Sequence, residues 1–216
     1  MPEYKRNQVE AAIAAVLDSR SVTPSLELRT RLKRLLDTDR AAGIVARANE
    51  PERSNYAFYS AKGPGTGVEV WFSDYEVFAL LNGLQLMTHG WPQGFAVSVM
   101  RRVRPELEKE FARILKQDPR RLFDDEAILS KANAGGMAFN NMDPVLLTIV
   151  TKSGALQQEL KQPLACAVCR GPEAAMKFFQ TAAGGRGALT MVDVVGPAHS
   201  LTKALAHTEP QHRGRS

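Results

Sequence analysis

Apolar residues near the start of the chain recur at helical spacing in two short blocks. The first block consists of Val9, Ile13, Val16 and Leu17. The second block consists of Leu28, Leu32, Leu35 and Leu36. Because this spacing places the apolar residues on one face of a helix, it predicts two amphipathic helices that pack face to face. We expect a turn over residues 18–21, with Thr23 as the N-cap of the second helix and Pro24 as its first residue.

The next segment has the alternation and the turn residues of a β-hairpin. Residues 56–59 are rich in aromatic side chains, and residues 68–72 alternate with a period of two. Residues 60–67, between these two runs, include several glycines and a proline. We therefore predict two short strands joined by a flexible, glycine-rich tip.

A capping box marks the start of the following helix. Ser73 is followed three residues later by Glu76, so that each side chain can bind the backbone N–H of the other residue. The pattern predicts a helix that runs from this point to Gly90. A second helix is expected to begin at Pro92 and to break or kink at Pro105.

The last third of the chain alternates between strand and helix patterns. Candidate strands cover residues 145–150, 164–169 and 189–195, and helices are expected to begin at Gly171 and Pro197. This order predicts a small α/β unit.

These patterns together predict an α+β fold, in which a mainly helical N-terminal region with a β-hairpin precedes the small α/β unit. The N-terminal region covers residues 1–116, and a helical linker covers residues 117–142. The α/β unit, residues 143–208, is expected to serve dimerisation or ligand sensing, and residues 209–216 form a flexible tail.

The composition indicates the net charge of the protein and the cellular compartment in which it is expected. The 216 residues carry a net charge of +5, with an isoelectric point near 9.4. A basic balance favours an anionic partner, although a solvated cationic surface is the other interpretation. The chain has no apolar run long enough to span a bilayer, and its start lacks the apolar core of a signal peptide. With only two cysteines, it is expected to be soluble and cytoplasmic.

The positions of the basic residues sharpen this expectation. When the leucines of the second helix face the core, Arg29, Lys33 and Arg40 fall on one flank. Arg31 and Arg34 fall on the far side of the same helix. A row of cations on the second helix of a helix pair is typical of contacts with DNA. The other interpretation is a solvated helix face whose cations pair with nearby carboxylates.

Two further sets of cations are candidates for phosphate contacts. Lys62 lies in the predicted hairpin tip, where the glycines would let the backbone approach a phosphate closely, unless the tip is only a long loop. The densest basic cluster consists of Arg101, Arg102 and Arg104. These arginines could bind phosphates, or they could pair at helix spacing with the acidic residues that follow them, Glu106, Glu108 and Glu110.

The cysteines, Cys166 and Cys169, form a C-x-x-C pair. A zinc site would need two more ligands, for which His199 and His207 have a conceivable spacing. In a strand, however, residues three apart point to opposite sides, which favours two small buried side chains. We expect no catalytic constellation, no cofactor and no metal, and therefore no enzyme. A zinc or redox enzyme in the C-terminal unit is the minor alternative.

The order of the predicted elements resembles the winged-helix DNA-binding domain of MerR-type regulators. In that family an aromatic residue and a capping Ser follow the wing and precede a helix that ends in Gly, and residues 71–77 and the helix after them are similar. Tyr4 and residues 8–10 are similar to the start of the family's first helix, so the resemblance covers residues 4–104. The chain departs from the family in its long linker, residues 41–55, and in lacking a long coiled-coil dimerisation helix.

The resemblance implies a sequence-specific DNA-binding transcriptional regulator that places a basic helix and a hairpin wing on DNA. A homo-oligomer is expected. The residues predicted to contact DNA are Arg29, Lys33, Arg34, Arg40, Lys62, Arg101 and Arg102. The alternative function is a non-enzymatic adaptor whose basic helical surface binds an acidic partner protein.

Overall fold

Helices and two antiparallel sheets make up the fold in the computed structural model, which describes residues 3–18, 23–45, 48–60, 70–131, 139–154 and 156–209. Its helices are α1 (Arg6–Leu17), α2 (Leu26–Ala42), α3 (Pro51–Ser54), α4 (Asp74–Thr88), α5 (Gln93–Ile114), α6 (Pro119–Leu122), α7 (Asp125–Lys131), α8 (Gly171–Ala183) and α9 (Val195–Ala206). Its strands are β1 (Glu3–Lys5), β2 (Trp71–Ser73), β3 (Val145–Lys152), β4 (Ala165–Arg170) and β5 (Gly187–Asp193). The predicted α+β class is confirmed.

The first two predicted helices are present as α1 and α2, with their apolar faces in the core. Ile13 and Leu35 are fully buried, and both belong to the central hydrophobic cluster. The predicted N-cap of α2 is wrong, because Ser25 rather than Thr23 accepts a hydrogen bond from the N–H of Leu28, at 3.1 Å. Ser and Thr both cap helices well, so the sequence alone did not distinguish these two positions.

The predicted β-hairpin is wrong in its pairing. Residues 56–59 form no strand. Strand β2 pairs instead with β1 near the N-terminus, so that Trp71 lies opposite Lys5. The aromatic run folds inward because the carboxylate of Asp39 accepts its backbone N–H groups and thereby replaces a neighbouring strand. All of the predicted tip except Ser60, that is residues 61–67, lies outside the described residues, as do residues 68 and 69 of the second predicted strand.

The capping box is present and begins α4, the most buried helix of the fold. The N–H of Glu76 donates to the Oγ of Ser73 at 3.3 Å, and the N–H of Ser73 donates to the carboxylate of Glu76 at 2.8 Å. The same carboxylate accepts the hydroxyl of Ser60 at 2.6 Å, which ties the aromatic segment to the start of α4. The helix ends as predicted, just before Gly90, whose φ of 89° suits glycine.

Replacing Ser73 with Ala is expected to lower the free energy of unfolding by about 1 kcal/mol, because one N–H at the start of α4 loses its acceptor. Urea denaturation would measure the difference. Ser200→Ala, at an exposed position on α9, serves as a control with the same chemical change and little expected effect. An equal loss in both variants would contradict a specific capping role.

Pro105 does not break α5, which continues through it to Ile114. Proline removes one backbone hydrogen bond of the helix, and this costs stability. The helix is buried on both sides of the proline, at Val103 and Leu107, and this packing offsets the loss. Of the predicted break or kink at Pro105, the break is therefore wrong.

The C-terminal strands and helices are present within two residues of their predicted bounds, although α9 begins at Val195, the last residue of the predicted third strand. They form a three-stranded sheet in the order β4-β3-β5, and both outer strands run antiparallel to β3. The connection through α8 therefore carries the chain across the central strand. Helix α8 covers one face of the sheet, and α5 lies against β4 on the other.

One hydrophobic cluster joins the N-terminal helices to the C-terminal sheet. It includes Ile13 of α1, Leu147 of β3 and Leu201 of α9. Helix α9 packs against α1, and the side-chain amide of Gln8 donates to the backbone oxygen of Thr208 at 3.1 Å. The predicted boundary after residue 116 thus does not separate two cores. Among the described residues, no helix is long and apolar enough to cross a membrane.

Candidate nucleic-acid interface

The solvent face of α2 carries the basic residues predicted from helical spacing. Arg29, Lys33, Arg34 and Arg40 are all exposed, and Arg31 is partly exposed. They form two rows along the helix, because Arg29, Lys33 and Arg40 lie on one flank and Arg31 and Arg34 on the other. We call these five residues the basic face of α2.

Three members of the basic face pair with carboxylates at the surface. The Nε of Arg29 lies 3.5 Å from the carboxylate of Glu10 on α1. Lys33 and Arg31 pair with acidic residues on α2 itself, at 2.8 and 2.6 Å. The pairs of Lys33 and Arg31 are exposed and contribute about 0–1 kcal/mol each, so exchanging their carboxylates for a phosphate costs little. The side chain of Glu10 is only 12% exposed.

Arg40 lies against an aromatic ring. Its guanidinium donates to the hydroxyl of Tyr59 at 3.4 Å and lies 5.9 Å from the ring centroid. Burial raises the pKa of Tyr59, although the guanidinium beside it acts in the opposite direction. Neither Arg40 nor Arg34 has an ion pair with any residue that the structure describes. These two cations are therefore the members of the basic face that have no carboxylate to displace within the described ranges of the chain.

Arg101 is not available to a nucleic acid, and its prediction as a DNA contact is wrong. Its side chain is 5% exposed and its Nε lies 2.6 Å from the carboxylate of the fully buried Asp39. It also donates to the backbone oxygen of Gly43 at 2.7 Å. Arg101 thus fixes the end of α2 against α5.

Arg102 has a structural role of the same kind. It pairs with Glu52 of α3, and its other nitrogens reach Pro163 and Gln162 at 3.3 and 3.2 Å. Its donors thus bind α3 and the segment before β4, and Arg102 is not part of the basic face. Its predicted role as a DNA contact is not supported. Arg104 is buried and pairs at helix spacing with Glu108 at 3.8 Å, which is the pairing that the sequence offered as an alternative for this cluster.

Lys62, the remaining predicted contact, lies outside the described residues. The described range before it ends at Ser60, one residue after Tyr59, which is in contact with Arg40.

The two cysteines occupy opposite faces of the C-terminal sheet, as their spacing predicts. Cys166 packs against the central cluster, whereas Cys169 belongs to the small cluster beneath α8. Burial raises the pKa of the Cys166 thiol to about 12 and also raises that of Cys169, so neither is an activated nucleophile. Within the described ranges, no group of three or more metal-binding side chains comes together.

Helical spacing alone does not reveal Asp39 or Glu52, which bind Arg101 and Arg102. One signal was present, because Asp39 follows Leu35 and Leu36 on the apolar face of α2, where a carboxylate requires a partner.

Compared with protein-family models, with curated proteins and with solved structures, the chain has no significant match in any of the three.

Proposed function

We propose that this protein is a DNA-binding transcriptional regulator that contacts DNA through the basic face of α2. The observation that carries the proposal is the charge of that face. The face has five cations, whereas the same helix has two exposed carboxylates, Glu27 and Asp37. The third acidic residue of α2, Asp39, is buried and neutralised by Arg101.

The arrangement of the cations suits a helix lying in a groove. The major groove of DNA is about 12 Å wide and admits one α-helix. The two rows would then face the phosphates on the two sides of the groove. Between them lie Thr30 and Ala41, which have small side chains, and Asp37, whose carboxylate pairs with Lys33.

Lys62 belongs to the proposal because it follows Tyr59 by three residues, and Tyr59 contacts Arg40 of the basic face. In this proposal the protein acts in the cytoplasm as a homo-oligomer, and its C-terminal unit serves dimerisation or ligand sensing.

Replacing Arg29 and Lys33 with Ala is expected to weaken DNA binding and to make it less dependent on salt. Each phosphate contact contributes about 0.9 to the slope of log K against log salt, so the slope should fall by about 2. Fluorescence anisotropy with duplex DNA over a series of salt concentrations would measure it.

The matched control removes two lysines from the exposed surface of the C-terminal unit, as Lys177→Ala with Lys203→Ala. This control has the same net charge as the test variant. An unchanged slope in the test variant, or an equal decrease in the control, would count against the basic face of α2.

A second candidate function is an adaptor that binds an acidic protein surface. It is favoured by the pairing of Arg29, Arg31 and Lys33 with protein carboxylates, which shows that the face already accommodates such groups. Competition between duplex DNA and poly-glutamate of matched charge distinguishes the two functions. Displacement of bound DNA by poly-glutamate at equal charge concentration would favour the adaptor.

A further inference from the structure

A groove of about 900 Å³ lies between four parts of the fold, namely the end of α2, α3, the start of α5 and the segment before β4. This volume is within the range of about 300–1,000 Å³ that is usual for small-molecule sites. The groove does not include the basic face of α2, so an inference about it stands apart from DNA binding.

The groove combines an apolar wall with polar groups. Its apolar side chains include Ala42, Val45, Pro51 and Val97. Val45 is 47% exposed although it is a large apolar residue, and it faces this space. An apolar ligand body would remove this surface from water, which favours binding.

Most charges that line the groove are already satisfied within the protein. The carboxylate of Glu52 accepts the hydroxyl of Ser98 at 2.6 Å and also pairs with Arg102. Arg101, in the floor, is neutralised by Asp39. None of these groups needs a ligand as counterion.

Of the charges that remain, those of Lys161 and Arg53 are positive and that of Glu50 is negative. Lys161 is exposed and has no ion pair with a described residue. Arg53 of α3 pairs with Glu50 at 3.4 Å, and both side chains are more than half exposed. Such a pair exchanges readily for another anion.

The start of α5 adds donors to the same space. The first N–H groups of a helix have no acceptor within the helix, and they favour a negative charge. Gly94, the second residue of α5, lines the groove, and a Cβ built on it would meet no atom within 4 Å. The space beside this end of the helix is therefore open to a ligand.

We propose that this groove binds a small organic anion, in which a carboxylate or phosphate is attached to a compact apolar body. The anionic group lies between Lys161, Arg53 and the start of α5. The apolar body lies against Val45 and Val97.

Two anionic probes and one neutral probe of similar size test the proposal. Benzoate and phenyl phosphate are titrated into the full chain, with benzyl alcohol as the neutral counterpart, and binding is followed by ¹H–¹⁵N correlation spectra. Saturable shifts of residues at the end of α2, in α3 and at the start of α5 are expected for both anions. The neutral probe should bind at least about tenfold more weakly.

Two variants act on the groove in different ways, and each has a matched control. Gly94→Leu fills the open space, whereas Gly94→Ala makes a similar backbone change and leaves the groove open. Lys161→Glu reverses the available charge, whereas Lys203→Glu makes the same change on α9. Each test variant should weaken anion binding about tenfold or more, and each control should leave it unchanged.

The proposal is overturned if neither anion gives saturable shifts at the groove, or if benzyl alcohol binds as well as the anions. It is also overturned if Gly94→Leu and Lys161→Glu, shown to be folded by their circular dichroism, bind the anions as the unmodified chain does.

Discussion

Replacing Arg101 with Met is expected to lower the free energy of unfolding by about 3–5 kcal/mol, because the buried carboxylate of Asp39 loses the counterion that it has among the described residues. The side chains of this pair are 5% and 0% exposed, so water does not replace the missing charge. Methionine matches the length of the arginine stem and leaves no large cavity. Urea denaturation followed by circular dichroism would measure the change.

The neighbouring residue provides the control. Arg102→Met removes the same group from the next position of α5, but its pair with Glu52 is about a quarter exposed on each side. A loss of about 1 kcal/mol or less is expected there. Equal losses at the two positions would contradict the argument from burial.

A double variant separates the lost counterion from the lost packing. Arg101→Met with Asp39→Asn removes both charges and keeps one acceptor for the N–H groups of Ala57 and Phe58. It should be more stable than Arg101→Met alone, because an unpaired buried charge costs more than one weakened hydrogen bond. A double variant less stable than the single variant would show that Asp39 acts mainly as an acceptor for these amides.

The role of Arg101 could not be predicted from its own neighbourhood in the sequence. Three arginines in four residues are typical of a solvated or nucleic-acid-binding surface, and in the structure two of the three are buried. What decides between these outcomes is the position of Asp39, which is 62 residues away in the chain. Local spacing carries no information about such a partner.

Features that depend on nearby residues were predicted well. The capping box at Ser73 and Glu76 needs only a separation of three residues, and the structure forms it as expected. The apolar run that becomes β3 is buried along almost its whole length, and this explains why a continuous pattern indicated a strand.

The failed hairpin shows the opposite case. Strand β2 was recognised in part, but its partner is β1, at the other end of the N-terminal region. Residues 56–59 are rich in aromatic side chains, which are common in strands, but they form no strand. The same side chains are also favoured by burial in the core, which is where residues 57–59 lie. Pairing between distant segments depends on how the helices pack first, which a local pattern does not reveal.

The exposed flank of α2 and the pairing of its cations with nearby carboxylates could both be expected from the sequence, but the partner of Arg29 on α1 could not. The 100° periodicity placed Arg29, Lys33 and Arg40 on an exposed flank, and the structure confirms their exposure. The pairing of Arg29 with Glu10 depends on how α1 crosses α2, which the apolar pattern leaves open.

Replacing Phe58 with Ala is expected to lower the free energy of unfolding by about 3–5 kcal/mol, because it leaves a cavity where α2 and α4 meet. The ring is fully buried although its segment has no regular secondary structure. Chemical denaturation would measure the loss, with Leu129→Ala as control. Leu129 is 73% exposed, so truncating it should change stability by about 0.5 kcal/mol or less. Similar losses in both variants would contradict a cavity at Phe58.

The ring of Phe58 also explains why α4 has a glycine in its interior. A Cβ on Gly83 would lie 3.0 Å from the Cζ of Phe58, closer than the buried ring can easily allow. Gly83→Ala should therefore destabilise the protein by about 1–3 kcal/mol, despite the better helix propensity of alanine. In a Phe58→Leu background the ring is absent, and the same substitution should instead stabilise by up to about 1 kcal/mol. Denaturation of all four proteins, the unmodified chain included, would measure this reversal of sign and so test the contact directly. A stabilising effect of Gly83→Ala in both backgrounds would show that the ring moves aside.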